Sequence, residues 1–115
     1  MISRKYRFHG HGSLNYLFRH GKTVRVEYLS LRFTPNKKED YRLAVVVSKK
    51  VSKSAVVRNR IRRRLYEAVR LARQSADKPW NYDMSLTVYD ERLASLPSSE
   101  IVNAVAKLLE KSKII

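Results

Sequence analysis

Ser48–Arg70 reads SKKVSKSAVVRNRIRRRLYEAVR, a run of cations broken by a single acid, Glu67. Val57, Ile61, Leu65, Ala68 and Ala72 recur at steps of four, four, three and four. This spacing predicts a helix from about Val56 to Ser75 with one apolar stripe turned to a core. Such a stripe needs another layer to cover it, and the flanking segments read as strands. Upstream, TVRVEYLSLRFTP (Thr23–Pro35) alternates, with Leu29, Leu31 and Phe33 on one face, Tyr28, Ser30 and Arg32 on the other, and Pro35 as its end. PNKKED then reads as a polar turn. YRLAVVVS (Tyr41–Ser48) reads as a second strand with Ala44–Val47 buried on both faces, and the two runs are expected to form an antiparallel hairpin.

Before this hairpin, Ser13 is placed to cap a short helix carrying Leu14, Leu17 and Phe18, which Gly21 ends in a left-handed conformation. Residues 1–12 read as an irregular basic arm. After the long helix, Pro79 and Trp80 fall in a loop and MSLTVY reads as a third strand. A final helix follows, capped by Ser98 or Ser99, with Ile101, Val105, Leu108 and Leu109 on its apolar face. Helix, strands, helix, strand, helix is an α+β order with one sheet, and 115 residues at 43% hydrophobic content suit a single domain over 1–115.

Twenty-five Lys and Arg against ten Asp and Glu give a formal charge of +15. That charge opposes folding through self-repulsion, and a polyanionic partner accounts for it. It is spread through the folded segments rather than gathered in a tail. No apolar run approaches the roughly 20 residues of a membrane span, so a soluble, cytoplasmic protein is expected. With no cysteine, zinc fingers and thiol chemistry are excluded, and His9, His11 and His20 are the only imidazoles.

At about 100° per residue, Asn59, Arg63, Tyr66 and Arg70 lie opposite the stripe of the long helix, Arg60 and Arg62 on its shoulders, and Arg58 and Arg64 beside it. Glu67 can pair with Arg63 or Arg64 but not with the rest, which leaves guanidiniums free. Arg suits bidentate phosphate contacts and stacking on bases, and Lys49, Lys50 and Lys53 add ammonium groups just ahead of the helix. Membrane-binding and calmodulin-binding helices insert bulky apolar residues, whereas this stripe is small and aliphatic.

The order SKKVSKSAVVRNRIRRRL resembles the protein subunit of bacterial ribonuclease P, whose members carry Ser-Lys-Lys, a short link and then Arg-Asn-Arg-Ile-(Lys/Arg)-Arg. LFRHGK at Leu17–Lys22 is similar to that family's first-helix segment. The resemblance spans nearly the whole chain. It implies a two-layer α-β-β-β-α-β-α sandwich with one mainly antiparallel sheet and a left-handed βαβ crossover, an exception to the usual right-handed rule. It further implies an endoribonuclease complex whose RNA subunit carries out the magnesium-dependent removal of the 5′ leader from precursor tRNA. Carried over by position, Lys49, Lys50, Lys53, Arg58, Asn59, Arg60, Arg62 and Arg63 would meet ribonuclease P RNA, and Phe18, Tyr28, Ser30 and Arg32 would line the precursor-tRNA leader cleft. No catalytic or metal-binding side chain, membrane or obligate protein partner is implied. Magnesium is assigned mainly to the RNA.

Some positions depart from the family pattern. Leu14 and Arg32 stand where members commonly have aromatics, Ser52 and Lys53 where many have glycine, and Tyr89 and Asp90 where a basic residue is common. A protein nuclease is disfavoured because Asp77, Asp83, Asp90 and Glu91 are scattered and FHGH offers only two imidazoles. The rival class is a structural RNA-binding protein such as a small ribosomal protein, which shares the charge and fold class but not the Ser-Lys-Lys and Arg-Asn-Arg blocks.

Overall fold

The structure, a computed structural model, describes residues 11–114, with side chains from Tyr16 onward. Residues 1–10 of the expected arm, the Leu14 side chain and the paired imidazoles of FHGH lie outside that description. Helix α1 spans His11–His20, and strands β1 (Lys22–Val26), β2 (Leu29–Pro35) and β3 (Arg42–Val46) follow. Then come α2 (Ala55–Gln74), β4 (Tyr82–Val88), a 3-10 turn at Glu91–Ala94 and α3 (Ser98–Lys111). The sheet order is β1-β2-β4-β3. Its β1–β2 and β2–β4 pairs are antiparallel and β3–β4 is parallel, so α2 is the crossover between the two parallel strands.

The alternating run Thr23–Pro35 is therefore two strands, not one. The break is at Glu27–Tyr28, where Val26 pairs with Leu29 across a two-residue turn. Hairpin turns usually announce themselves by Asn or Gly at positive φ. Here Lys113 is the only described non-glycine residue with positive φ, so Glu27 and Tyr28 turn the chain without that signature. Tyr28 consequently leaves the face assigned to it. The expected hairpin with Tyr41–Ser48 does not form either, because β4 lies between β2 and β3. Met84, Ser85 and Leu86 in β4 are buried on both faces, as befits a central strand, whereas Val46 on edge strand β3 is 40% exposed rather than buried.

Leu31, Leu43, Met84 and Leu86 pack beneath Val69 of α2 and Val105, Leu108 and Leu109 of α3, and Ile61 and Leu65 are fully buried in the same core. At roughly 1.5–3 kcal/mol for each fully buried large aliphatic side chain, this layer is what holds α2 against the sheet. Ser54 caps α2 by accepting from the Val57 N–H at 3.3 Å. The cap position of α3 is Pro97, not Ser98 or Ser99. Its carbonyl accepts from Glu100 N–H at 3.0 Å, and no side chain caps that end.

Gly21 ends α1, though not by a left-handed turn, since its φ lies outside that region. It provides room instead. A Cβ there would lie 2.5 Å from the Leu17 carbonyl oxygen and 2.9 Å from Arg32 Cγ, closer than packed atoms approach. The absent side chain lets α1 sit against β2 and Arg32.

Candidate nucleic-acid interface

The α2 arginines divide by what they already bind. Arg58 Nη1 donates to the Ser52 carbonyl at 2.9 Å, tying the basic loop to the helix. Arg62 donates to Asn59 Oδ1 at 2.8 Å and to the Val47 carbonyl at 3.4 Å, so the Asn59 oxygen is held within the helix surface. Arg64 donates to the Leu93 carbonyl at 2.8 Å and also to that of Leu96, pinning the segment before α3. Glu67 pairs with Arg70, three residues on, rather than with Arg63 or Arg64. The hydrogen bond from Arg70 keeps the Glu67 carboxyl below its ordinary pKa, so it stays ionised and paired with Arg70. Tyr66 is half-buried against the core, with its hydroxyl 3.5 Å from the Leu43 carbonyl, so it does not point outward as the helical spacing suggests.

Arg60 and Arg63 remain exposed with no hydrogen-bond partner among the described residues, as do Lys49, Lys50 and Lys53. Arg60 and Arg63 border a groove of about 440 Å³ between α2 and α3, floored by Ala68, Leu71, Ile101 and Val102. The loop carrying the lysines is ordered by serines, not glycines. Ser52 is buried, its hydroxyl accepts from Ser54 N–H at 3.2 Å, and the Val51 N–H closes a turn on the Ser48 carbonyl at 3.1 Å.

The sheet face away from the α2–α3 core forms a second surface. Strand register sets Arg25, Ser30, Thr87 and Val46 in one row across it, and Thr23, Arg32, Ser85 and Ala44 in the next. Neither row contains an acid. Among the described side chains of α1, Leu17 is fully buried and Phe18 is 45% exposed. The Arg32 guanidinium lies 5.5 Å from the Phe18 ring centroid and donates to its carbonyl. A cation over the Phe18 ring therefore stands where family members commonly have an aromatic. Ser30 and Arg32 share this face, whereas Tyr28 sits in the β1–β2 turn, where its hydroxyl accepts from Arg92 Nη1 at 2.8 Å.

Two residues of this surface, Tyr89 and Arg25, were not assigned to the site from the sequence. Tyr89 follows β4, and its hydroxyl is 2.9 Å from Ser30 Oγ. Arg25 places its guanidinium 4.3 Å from the Tyr89 ring centroid. The signal available was parity, since Thr87 and Tyr89 share a strand face, but the strand pairing that brings Ser30 there was not visible. Among the described residues no three His, Asp or Glu side chains gather as a metal site, and no helix is long and apolar enough to cross a membrane.

The sequence profile of the Ribonuclease P family matches residues 2–113. The chain is 38% identical over 109 residues to the ribonuclease P protein component of Clostridium kluyveri, covering 93% of this chain and 94% of that one. It is 32% identical over 114 residues to that of Roseiflexus castenholzii, covering 99% and 91%. The RNase P protein of Staphylococcus aureus superposes with a TM-score of 0.79 at 23% identity, covering 95% of this chain and 96% of the other. That of Thermotoga maritima superposes at 0.78 and 22% identity, covering 91% and 96%. With the element order and the Ser-Lys-Lys and Arg-Asn-Arg blocks, these matches establish that the chain belongs to the ribonuclease P protein component family.

Proposed function

We propose that this chain docks on a ribonuclease P RNA through α2 and its preceding loop, and holds the 5′ leader of precursor tRNA on the open sheet face. The carrying observation is the division within α2. Arg58, Arg62 and Arg64 are engaged by the fold, whereas Arg60, Arg63, Lys49, Lys50 and Lys53 have no partner among the described residues. Unpartnered guanidinium and ammonium groups on a rigid helix and a serine-braced loop suit a phosphate backbone. The Phe18–Arg32 edge and the acid-free rows beside it suit a single strand of variable sequence, bound by charge and by stacking. In this reading the RNA subunit holds the magnesium and cleaves the phosphodiester, and the protein supplies cations that lower the metal concentration needed. Adding the protein to a ribonuclease P RNA restores precursor-tRNA cleavage at magnesium levels where the RNA alone is slow. Equal rates with and without protein, in matched salt, contradict the proposal.

A further inference from the structure

We propose that Arg25, Tyr89 and Ser30 form a second base platform that extends the leader track beyond Phe18 and Arg32. This rests on the leader reading above and adds a site to it. Arg25 and Ser30 are direct partners across β1 and β2. The Tyr89 hydroxyl meets the Ser30 hydroxyl at 2.9 Å, and the Arg25 guanidinium lies 4.3 Å from the ring centroid. The ring is thus held at its tip by one hydrogen bond and on a face by a cation. Tyr89 is nevertheless 48% exposed, and Arg25 is exposed as well.

A planar guanidinium braced on an aromatic ring is a ready surface for a nucleobase, and its charge attracts the adjoining phosphate. Ser30 and Arg32 are two residues apart on β2, which separates the two platforms by about 7 Å along the strand. The same two-part unit, a guanidinium over an aromatic ring, therefore occurs twice along two neighbouring acid-free rows of one face, as successive bases of an extended strand require. An exposed tyrosine engaged only by its own neighbours is the ordinary alternative. It predicts no effect on RNA.

The test uses holoenzyme reconstituted with a ribonuclease P RNA and precursor tRNAs whose leaders lengthen one nucleotide at a time. Wild-type affinity rises with leader length to a plateau. Tyr89→Ala and Arg25→Ala each bring the plateau on one or two nucleotides earlier, with a loss of about tenfold for long leaders and none for the shortest. The double variant loses no more than about either single one, because the two side chains act as one unit. Tyr89→Phe keeps the ring and retains most of the affinity, which separates stacking from the hydroxyl contact. Length dependence with Tyr89→Ala indistinguishable from wild type overturns the platform. A Tyr89→Phe loss equal to that of Tyr89→Ala does the same. A wild-type protein without any length dependence overturns the leader reading itself, a separate outcome.

Discussion

Replacing Arg60 and Arg63 together by Ala should lower affinity for ribonuclease P RNA by roughly a hundredfold, at about 1.5 kcal/mol for each charge-assisted hydrogen bond to phosphate that is removed. The effect shrinks as salt rises. Each neutralised phosphate contributes about 0.7–0.9 to the slope of log K against log salt, so removing two cations flattens it by about 1.5. Folding stability should not fall, because both side chains are exposed and bond to nothing among the described residues. Removing two cations from a chain of +15 lowers self-repulsion if anything. Arg58 and Arg64 are unsuitable for this comparison, since each donates to backbone carbonyls of another segment and its removal would disturb the fold as well. Filter binding across a salt series checks the prediction. An unchanged slope means that Arg60 and Arg63 do not face phosphates.

Asp40→Ala destabilises the protein by about 3 kcal/mol, the lower end of what breaking a largely buried ion pair costs. In a domain of this size that lowers Tm by about 12–15 °C. The Asp40 carboxylate accepts from Arg73 Nε at 2.8 Å and from the N–H groups of Tyr41 and Trp80 at 2.8 and 3.0 Å. Arg73 Nη2 lies 2.7 Å from the same oxygen, Oδ2, that accepts from its Nε, while both N–H groups donate to Oδ1. One carboxylate thus joins the start of β3, the end of α2 and the loop before β4. Burial alone would raise its pKa, but the hydrogen bonds from Arg73, Tyr41 and Trp80 outweigh it and hold the carboxyl below its ordinary value. A carboxyl depressed in the folded state stabilises fully above its unfolded pKa, about 4, and loses that contribution as pH falls through the folded value. The difference between wild type and Asp40→Ala should therefore be constant near neutrality and shrink below about pH 4. Thermal unfolding across pH measures both. A gap that persists undiminished into strong acid means that the carboxylate charge is not what joins these segments.

Both of these networks bear on what could be read in the chain. The long helix was legible because its apolar stripe follows a strict period, and Ile61, Leu65 and Ala68 are buried as that period requires. The third strand and the last helix were legible for the same reason. Strand pairing was not. The β1–β2 turn at Glu27–Tyr28 lacks a residue that needs positive φ, and alternation runs straight through it. The placing of β4 between β2 and β3 depends on long-range pairing that no local pattern encodes. Resemblance to the family restored the third strand before the long helix where periodicity had merged two. At the site, residue types revealed where the cations are, but not which are consumed by carbonyls. Arg62 and Arg63 are adjacent in sequence, yet only Arg62 can reach back to Val47. Tyr89 stood out as a departure from the family's basic position, and its partner Arg25 comes from a strand that is distant in sequence.

The central claim is that two surfaces of one small domain hold two different RNAs, and tethered cleavage tests it most directly. The protein has no cysteine, so a single one can be introduced and loaded with an iron chelate that cuts nearby RNA. Lys53→Cys places the cutter in the basic loop, and Val46→Cys places it on the open sheet face in the row of Ser30. In holoenzyme bound to precursor tRNA, the probe at residue 53 should cut ribonuclease P RNA, and the probe at residue 46 should cut the 5′ leader. Leader cleavage from residue 53 with none from residue 46 would contradict the account.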